Sequence, residues 1–320
     1  MIEASQLTKT YGTVEAVRNV SFEIGTGEIV GLLGPNGAGK TSIMRILTAF
    51  HYPSSGTAVL DGHDVVDEPL QVKQAVGYLP ENAPVYTELN VAEYLEFIVS
   101  SRNIDKGIRK DRINWVIREC GLAPVLYRGI DKLSKGFKQR VGLAQAIIHD
   151  PKILILDEPT TGLDPNQIIE IRRLIRKLGQ EKTVILSTHI LQEVEAVCDR
   201  VLILNEGTIV AQGTPEAIGS ELKGEDIYTL LLKCGEQELL QKLPSLKAVK
   251  KIIRTEPAGT GKMEVELSAP PDPGNGEAIF DWAVDSGFKI LAMTPRRYSL
   301  EDIFIRLTAR RTDEQGGEDE

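Results

Sequence analysis

The architecture of this chain follows from one segment, Gly31-Leu32-Leu33-Gly34-Pro35-Asn36-Gly37-Ala38-Gly39-Lys40-Thr41. An apolar strand over 29–33 leads into a glycine-rich loop, and Lys40 and Thr41 open a helical stretch. This is the phosphate-binding pattern G-x-x-x-x-G-K-[ST], with a strand before it and a helix after it. The glycines let main-chain N–H groups converge on a phosphate, and the N-terminus of the helix adds about half a positive charge there.

The pattern predicts that nucleotide phosphates bind along this loop, at Gly34, Pro35, Asn36, Gly37, Ala38, Gly39, Lys40, Thr41 and Ser42. Lys40 is expected to pair with the β and γ phosphates, and the Thr41 hydroxyl is expected to bind Mg²⁺. The alternative is a glycine-rich turn that binds nothing. It is disfavoured because the bare pattern arises by chance in roughly one per cent of chains this long.

Composition limits the class of protein. The 320 residues suffice for one large domain or two modest ones, and 42% hydrophobic with 26% charged residues is typical of a soluble globular protein. The net charge is -9, but five acidic residues crowd the end of the chain, so 311–320 is predicted to be an acidic, disordered tail. The remaining body is only mildly acidic, which argues against nucleic acid as a partner.

Cysteine usage and hydropathy predict the location. Cys120, Cys198 and Cys234 have no metal-ligand spacing and are typical of reduced thiols in a cytosolic protein. The start of the chain, 1–5, lacks the basic residues and apolar core of a signal peptide. No apolar run approaches the roughly 18 residues of a membrane span, so any membrane contact is expected to come through a partner.

Short strands and a helical insertion are predicted around the phosphate-binding loop. Alternating apolar residues predict strands over 2–8, 17–24 and 57–60, which would form an antiparallel β-subdomain. Tyr11 falls in a loop between two of them, either as a surface turn residue or as a ring for ligand stacking. Glu81 follows a short apolar strand over 76–79. Beyond it, apolar residues three and four apart predict a helical insertion over about 82–150.

A later helix begins near Ser134 and Gly136, ahead of an apolar face that includes Val141 and Ala144. On its own this segment is a capped helix with a basic first turn. No functional role follows from these residues alone.

Two buried strands end in residues that can do chemistry. The apolar run 153–156 is typical of a parallel strand buried on both faces, and it ends in Asp157 and Glu158, where ligands bind in open α/β sheets. Asp157 is placed to hold Mg²⁺ through water, and Glu158 to take a proton from an attacking water. The alternative is two acids that cap the following turn. A second strand over 183–187 ends near His189, which is usually a structural residue but here falls on the ligand side of the sheet.

Six motifs in this order resemble those of the ATP-binding cassette (ABC) ATPases. They are the loop 34–41, Glu81, the signature-like segment 133–137, Asp157-Glu158, Gly162-Leu163-Asp164 and His189. The resemblance covers about 1–220 and implies an α/β fold, a P-loop NTPase of ABC type with a mixed sheet core, the β-subdomain and the helical insertion. The segments 77–82, 133–140 and 187–195 are most similar to ATP-binding subunits of ABC-2-type exporters, particularly the gliding-motility-associated subgroup.

The resemblance implies ATP and Mg²⁺ as cofactors and two kinds of partner: integral membrane permease subunits and a second copy of the chain or a close paralogue. In this family two cassettes pair head to tail. The subunit would therefore be cytoplasmic and peripheral on the cytoplasmic face of the cell membrane, where it would hydrolyse ATP to energise the permease.

The resemblance also assigns residue roles. Tyr11 would stack on adenine, Ser134 and Gly136 would touch the γ-phosphate bound to the other copy, and Asp164 would cross the dimer interface. The catalytic residues would be Glu158, His189 and Glu81, and the Mg²⁺ ligands would be Thr41, Glu81 and Asp157. Hydrolysis would thus be coupled to closure of the dimer.

Two positions depart from the family pattern. Glu81 stands where most members have glutamine, so a carboxylate adds negative charge near the phosphates and is expected to slow hydrolysis or make it more sensitive to Mg²⁺. In the signature-like segment, Lys135 replaces the usual first glycine and Phe137 the usual glutamine. Because Ser134 and Gly136 persist, contact with the partner's nucleotide is still expected.

The C-terminal part predicts a small accessory domain. After a link over 218–225, strands and helices follow in the order βαββαβ within 226–310, which is typical of an α+β ferredoxin-like domain. A capped helix is expected over 299–307. Its role stays open between bracing the dimer and sensing a ligand.

Two other functions stay open for the whole chain. One is a soluble ABC-type ATPase that acts on ribosomes or DNA, although relatives of that kind carry two cassettes or a long coiled coil. The other is a nucleotide sensor that does not hydrolyse ATP, favoured by Glu81 and the altered signature-like segment.

Overall fold

A computed structural model describes residues 1–215, 217–218, 226–246, 248–270, 272 and 274–296. The chain divides into two compact units, Met1–Pro215 and Glu216–Glu320, close to the boundary predicted at 220. Within these described ranges, no helix combines the length and the apolar character that crossing a bilayer requires. Most of the link over 218–225, the capped helix over 299–307 and the acidic tail over 311–320 lie outside the described residues.

The first unit contains an antiparallel sheet near its N-terminus. In spatial order its strands, as far as the chain is described, are β2 (Val14–Ile24), β1 (Ile2–Tyr11), β4 (Ser55–Leu60) and β5 (His63–Asp64). This is the predicted β-subdomain, with β5 as an addition. Tyr11 pairs with Val14 as the last residue of β1, so its predicted place in a loop is wrong.

A mixed sheet forms the centre of the first unit. Its strands in the described part of the chain are, in spatial order, β10 (Thr208–Gly213), β9 (Arg200–Asn205), β3 (Ile29–Leu33), β8 (Thr183–Thr188), β7 (Ile153–Asp157) and β6 (Val76–Leu79). All neighbours are parallel except β9 and β10, which form an antiparallel hairpin. Every residue of β3, β7 and β8 is buried, as continuous apolar runs predict for strands covered on both faces.

Helices cover this sheet and form the insertion. In the described part of the first unit they are α1 (Lys40–Leu47), α2 (Pro69–Ala75), α3 (Val91–Ser101), α4 (Arg109–Glu119), α5 (Lys135–Ile147), α6 (Pro165–Gly179) and α7 (Leu191–Val197). The predicted insertion between β6 and β7 consists of α3, α4 and α5, preceded by a loop over 82–90. Ion pairs Lys177–Glu119 and Arg140–Glu170 tie α4 and α5 to α6.

The second unit has its own sheet and core. Its elements, where described, are β11 (Asp226–Lys233), α8 (Glu236–Lys242), β12 (Lys251–Pro257), β13 (Met263–Ala269), α9 (Asn275–Asp285) and β14 (Lys289–Arg296). The strands are antiparallel in the order β12-β13-β11-β14. The element order is the predicted βαββαβ. Leu230, Val265 and Ile279 lie fully buried between sheet and helices.

Candidate functional site

A cavity of about 480 Å³ lies over the phosphate-binding loop, and we call it the phosphate-loop cavity. Its lining residues are Tyr11, Ala16, Asn36, Gly37, Gly39, Lys40, Thr41, Ser42, Glu81, Glu158, Thr161 and His189. The volume falls within the range of small-molecule pockets, about 300–1,000 Å³. The fold therefore brings together ten of the residues that the sequence predicted to bind or act on a nucleotide.

The loop is glycine-rich because it packs closely on neighbouring strands. A Cβ on Gly34 would approach the Leu204 carbonyl oxygen to 2.6 Å, and one on Gly39, at φ +103°, would overlap the Ala16 carbonyl oxygen. Gly37 also has a positive φ, but a Cβ there would meet open space. Only glycine adopts these conformations without strain. Glycine is therefore required at positions 34 and 39 by close backbone packing and at positions 37 and 39 by the positive φ.

The start of α1 offers uncapped donors. No side chain accepts a hydrogen bond at the N-terminus of α1, and the first turn carries no acidic residue. The first N–H groups of a helix have no partner within it, and the helix dipole makes this end positive. Because Lys40, Thr41 and Ser42 also line the phosphate-loop cavity, this end of the helix suits an anion.

Lys40 is buried and carries the positive charge at the centre of the site. Its ammonium donates to the carbonyl oxygens of Gly34 at 2.7 Å and Pro35 at 3.2 Å, and it lies 3.8 Å from Glu158 Oε1. Burial lowers the pKa of Lys40, while the carboxylates of Glu158, Asp157 and Glu81 act in the opposite direction. The ammonium therefore contacts two carbonyl oxygens and the Glu158 carboxylate, and the charges of Asp157 and Glu81 also favour its protonated form.

Glu158 is held in an unusual backbone conformation directly after β7. Its φ is +49°, in the left-handed region that costs a non-glycine residue of the order of 1–3 kcal/mol. Its N–H donates to Ser187, both to the carbonyl oxygen at 3.2 Å and to the hydroxyl at 3.0 Å. The Thr161 hydroxyl donates to Glu158 Oε2 at 3.1 Å, and His189 Nδ1 lies 3.0 Å from the same oxygen. The two hydrogen bonds to Ser187 thus fix the backbone, and the contacts with Thr161 and His189 orient the carboxylate, which lines the cavity.

Oxygen ligands suited to a hard cation lie on the same side. Asp157 is buried beside Glu158, and its Oδ1 accepts a hydrogen bond from the Ser187 hydroxyl at 2.5 Å. Thr41 and Glu81 line the cavity. Hydroxyl and carboxylate oxygens are the ligands that Mg²⁺ prefers, usually one or two per site together with phosphates. In the described part of the chain, no group of three or more His, Cys, Asp or Glu side chains is placed to hold a metal ion.

Tyr11 lines the cavity from the end of β1. Its hydroxyl is 2.8 Å from His51 Nδ1, and the two rings meet edge to face. Burial, Arg45 and Lys9 all lower the pKa of His51, which favours its neutral form. The hydrogen bond and the ring contact with His51 hold the Tyr11 ring in place.

Seven predicted site residues do not line this cavity. Four of them belong to the loop itself or directly precede Glu158, namely Gly34, Pro35, Ala38 and Asp157. The other three, Ser134, Gly136 and Asp164, lie in different segments. Ser134 caps α5 by accepting from Phe137 N at 3.4 Å. Asp164 caps α6 by accepting from Gln167 N at 3.0 Å, and the Gln167 side chain packs against Gly136. The signature-like segment and the start of α6 therefore form a second group, apart from the cavity of their own chain.

Sequence reasoning missed Ala16, Thr161 and the contacts of Ser187. Ala16 lines the cavity because β2 passes beside the loop, which no local pattern reveals. Thr161 and Ser187 both hydrogen-bond Glu158. Their signal was present as hydroxyl residues near the ends of two buried strands, where parallel strands bring polar residues together.

Known proteins are similar to this chain in sequence and in fold. Residues 17–161 match the profile of the family described as ABC transporter. An uncharacterized ABC transporter ATP-binding protein from Synechocystis sp. PCC 6803 is 36% identical over 96% of this chain and 84% of its own length. The Nod factor export ATP-binding protein I of Rhizobium etli is 32% identical over 97% of this chain and 93% of its own length. A dimeric ATP-binding cassette solved in a post-hydrolysis state with ADP and phosphate has a TM-score of 0.62 at 25% identity, covering 67% of this chain and 98% of that chain.

Proposed function

This chain belongs to the ABC transporter ATP-binding proteins, and on that basis we propose that its ATPase activity energises export through a separate ABC-2-type membrane permease. As a member of this family it binds and hydrolyses ATP. The observation that carries the proposal is the phosphate-loop cavity, in which Lys40, Glu158 and His189 meet. Export is supported by the Rhizobium etli relative, which is named for Nod factor export.

Binding of the ATP phosphates is assigned to the loop and the start of α1. Lys40 would exchange its hydrogen bonds to the Gly34 and Pro35 carbonyls for phosphate oxygens, while main-chain N–H groups bind the same anion. Tyr11 would stack on the adenine ring, because it lines the same cavity and its hydroxyl is already fixed.

Hydrolysis is assigned to Glu158 and His189. The Glu158 carboxylate would take the proton of the attacking water, and the His189 Nδ1–H, which donates to that carboxylate, would keep it oriented. His189 also lines the cavity, within reach of a bound γ-phosphate. Phosphoryl transfer depends mainly on positioning and electrostatics. The fixed backbone of Glu158 and its hydrogen bonds supply that positioning.

Thr41, Glu81 and Asp157 are proposed to hold Mg²⁺ by their hydroxyl and carboxylate oxygens, directly or through water. When bound, the cation neutralises negative charge on the phosphates. Glu81 adds one negative charge that a glutamine would lack. The Glu81 carboxylate therefore repels ATP whose phosphate charge is not fully neutralised by Mg²⁺.

Replacing that carboxylate gives a prediction. We expect Glu81→Gln to raise the apparent ATP affinity about fivefold at limiting Mg²⁺, because about 1 kcal/mol of charge repulsion is removed. At saturating Mg²⁺ the difference should shrink. The measurement is ATPase activity as a function of Mg²⁺ concentration, with exposed Glu88→Gln as the matched control from the same loop. If the unaltered chain, Glu81→Gln and Glu88→Gln showed the same Mg²⁺ dependence, Glu81 would have no role in binding Mg²⁺ or ATP.

A second copy of the chain is proposed to complete each site. Ser134, Gly136 and Asp164 lie outside the cavity of their own chain, and the similar solved cassette is dimeric. In a head-to-tail pair, Ser134 and Gly136 would contact the nucleotide of the other copy and Asp164 would cross the interface. Closure of the pair would then assemble the site and couple hydrolysis to motion.

The permease is proposed to dock on exposed aromatic residues of the helical insertion. Tyr86 is 51% exposed and Phe97 44% exposed, and their rings meet edge to face at 5.1 Å between centroids. Tyr86 also contacts buried Tyr94. Exposed aromatic clusters of this kind are typical of interface anchors. Docking there would hold the subunit on the cytoplasmic face of the membrane.

Charge placed on this surface tests the docking site. We expect Tyr86→Glu with Phe97→Glu to reduce recovery of the permease about tenfold or more, because interface anchors typically contribute 2 kcal/mol or more. ATPase activity of the isolated subunit should persist. Tyr127→Glu is the matched control, since Tyr127 is 83% exposed in the same insertion. Undiminished membrane association of the double variant would show that the permease docks elsewhere.

The export proposal as a whole is tested by affinity capture of the tagged chain from detergent-solubilised membranes of its source, followed by mass spectrometry. A polytopic membrane protein in stoichiometric amount is the expected result. Recovery of ribosomal or DNA-repair components without a membrane protein would favour the soluble alternative instead.

We also propose membership of the gliding-motility-associated subgroup of ABC-2 exporters. The support is the similarity of the segments 77–82, 133–140 and 187–195 to that subgroup. Identification of the captured permease tests this assignment.

A further inference from the structure

A buried carboxylate that does not line the phosphate-loop cavity holds three segments of the chain together. Glu193 lies on α7 and is 2% exposed. Its Oε2 accepts from the Thr188 hydroxyl at 2.8 Å, and its Oε1 accepts from the Thr160 hydroxyl. Arg172, on α6, forms an ion pair with Glu193, with Nη2 3.7 Å from Oε1. We call these four residues the Glu193 cluster.

Two members of the Glu193 cluster adjoin residues that contact Glu158. Thr160 is followed by Thr161, whose hydroxyl donates to Glu158 Oε2 at 3.1 Å. Thr188 directly precedes His189, whose Nδ1 lies 3.0 Å from the same oxygen. Each side chain that positions the proposed base is therefore one residue away from a threonine held by the same buried carboxylate.

The third member links the cluster to α6. Arg172 lies about two helical turns beyond Asp164, which caps that helix. Arg172 Nε is buried and has no hydrogen-bond partner among the described residues, so its guanidinium depends on Glu193 for charge pairing. A buried charge is stable only when it is paired and hydrogen-bonded. Loss of the Glu193 carboxylate would thus release both threonine hydroxyls and the arginine together.

We propose that Glu193 is a positioning residue for ATP hydrolysis, which fixes the Glu158 carboxylate relative to His189 and ties both to α6. The proposal rests on the roles in hydrolysis proposed above for Glu158 and His189. Because Asp164 caps α6, a shift of that helix when two copies pair would reach the Glu158 carboxylate through Arg172 and Glu193. The cluster thereby gives dimer closure a physical path to the hydrolytic centre.

The test is steady-state ATPase kinetics of the full chain carrying Glu193→Gln. We expect kcat to fall about 10- to 100-fold, because small displacements of positioned groups have effects of this size. KM and the dissociation constant of ATP should stay unchanged, since the residues that bind the phosphates are not touched. A loss of packing alone would not produce this split between kcat and KM. The matched control is Glu195→Gln, an exposed glutamate on the same helix, which should keep normal kcat.

Replacement of Arg172 provides a second, independent test of the proposal. Arg172→Met should lower kcat in the same way, whereas Arg173→Met, at the exposed neighbouring position, should not. If the pair acts as a unit, Glu193→Gln combined with Arg172→Met should cost no more than the larger single effect. If Glu193→Gln does not fold, Thr188→Val removes one hydroxyl of the cluster and should still lower kcat about threefold or more.

Two outcomes overturn the proposal. One is a kcat of Glu193→Gln equal to that of Glu195→Gln, and the other is a rise in KM at unchanged kcat. Glu158→Gln measured in the same assay separates this failure from failure of the proposed function. If Glu158→Gln is inactive while Glu193→Gln is normal, only the positioning role is wrong. If the unaltered protein does not hydrolyse ATP, the proposed function itself fails.

Discussion

Glu158→Gln is expected to lower the rate of ATP hydrolysis about 10²- to 10⁴-fold, the usual contribution of a general base. The amide has nearly the same shape, and its oxygen can still accept from the Thr161 hydroxyl, but it cannot take a proton from water. ATP binding should survive, because Lys40 and the loop are unchanged. The measurements are phosphate release with Mg²⁺ and a separate titration of ATP binding.

The control for this prediction is Glu181→Gln, at an exposed glutamate outside the phosphate-loop cavity, which should retain full turnover. Glu158→Gln with ATP should also accumulate as a closed pair of subunits, visible by size-exclusion chromatography, since hydrolysis no longer reopens it. Near-normal turnover would remove Glu158 from the role of base. Loss of ATP binding together with turnover would instead assign Glu158 to the nucleotide pocket.

The sheet and helices of the first unit could be predicted because their signals are local. A continuous apolar run such as 153–156 indicates a strand buried on both faces, and β7 has this character throughout. Glycine spacing likewise predicted the loop before α1. Once these strands are taken as parallel, Glu158 and His189 must meet at one edge of the sheet, as they do.

The contacts that orient these residues could not be predicted, because they join positions far apart in the sequence. The ion pair between Lys40 and Glu158 and the Glu193–Arg172 pair depend on how helices pack on the sheet. The left-handed backbone of Glu158 breaks local preference, and tertiary hydrogen bonds sustain it. Local patterns carry no information about such strain, which is typical of functional sites.

The signature-like segment shows a different limit. The residues alone predict that Ser134 caps a helix, and only the family resemblance predicts a contact with nucleotide; in the structure Ser134 caps α5. That cap is a complete local explanation of the serine. Its contact with the nucleotide of a second copy therefore stays a prediction.

The charges around Lys40 explain why its replacement is expected to weaken ATP binding strongly. In this structure the buried ammonium donates to two loop carbonyls and forms an ion pair with Glu158. Burial alone lowers the pKa of Lys40, and the neighbouring acids oppose that shift. The site thus keeps a cation at its centre in an environment that would otherwise disfavour one. Phosphate oxygens can then replace the carbonyl oxygens without a new cation having to be buried.

Lys40→Met is accordingly expected to weaken ATP binding about 10²-fold or more, because at least two charge-assisted hydrogen bonds of about 1.5–3 kcal/mol each are lost. The methionine keeps most of the apolar stem, so the loop should retain its packing. Binding is measured by titration with Mg-ATP and by thermal unfolding. Ligand-induced stabilisation should appear in the unaltered chain and be absent from the variant.

Lys73→Met, at an exposed position on α2, is the matched control and should bind ATP normally. Removing Lys40 also leaves Glu158 without its ion-pair partner, although Thr161 and His189 still hydrogen-bond the carboxylate. A lower melting temperature without ATP would report that local cost and would not count against the binding role. If Lys40→Met bound ATP as tightly as the unaltered chain, the binding role of Lys40 would be wrong. No other lysine or arginine lines the phosphate-loop cavity among the described residues.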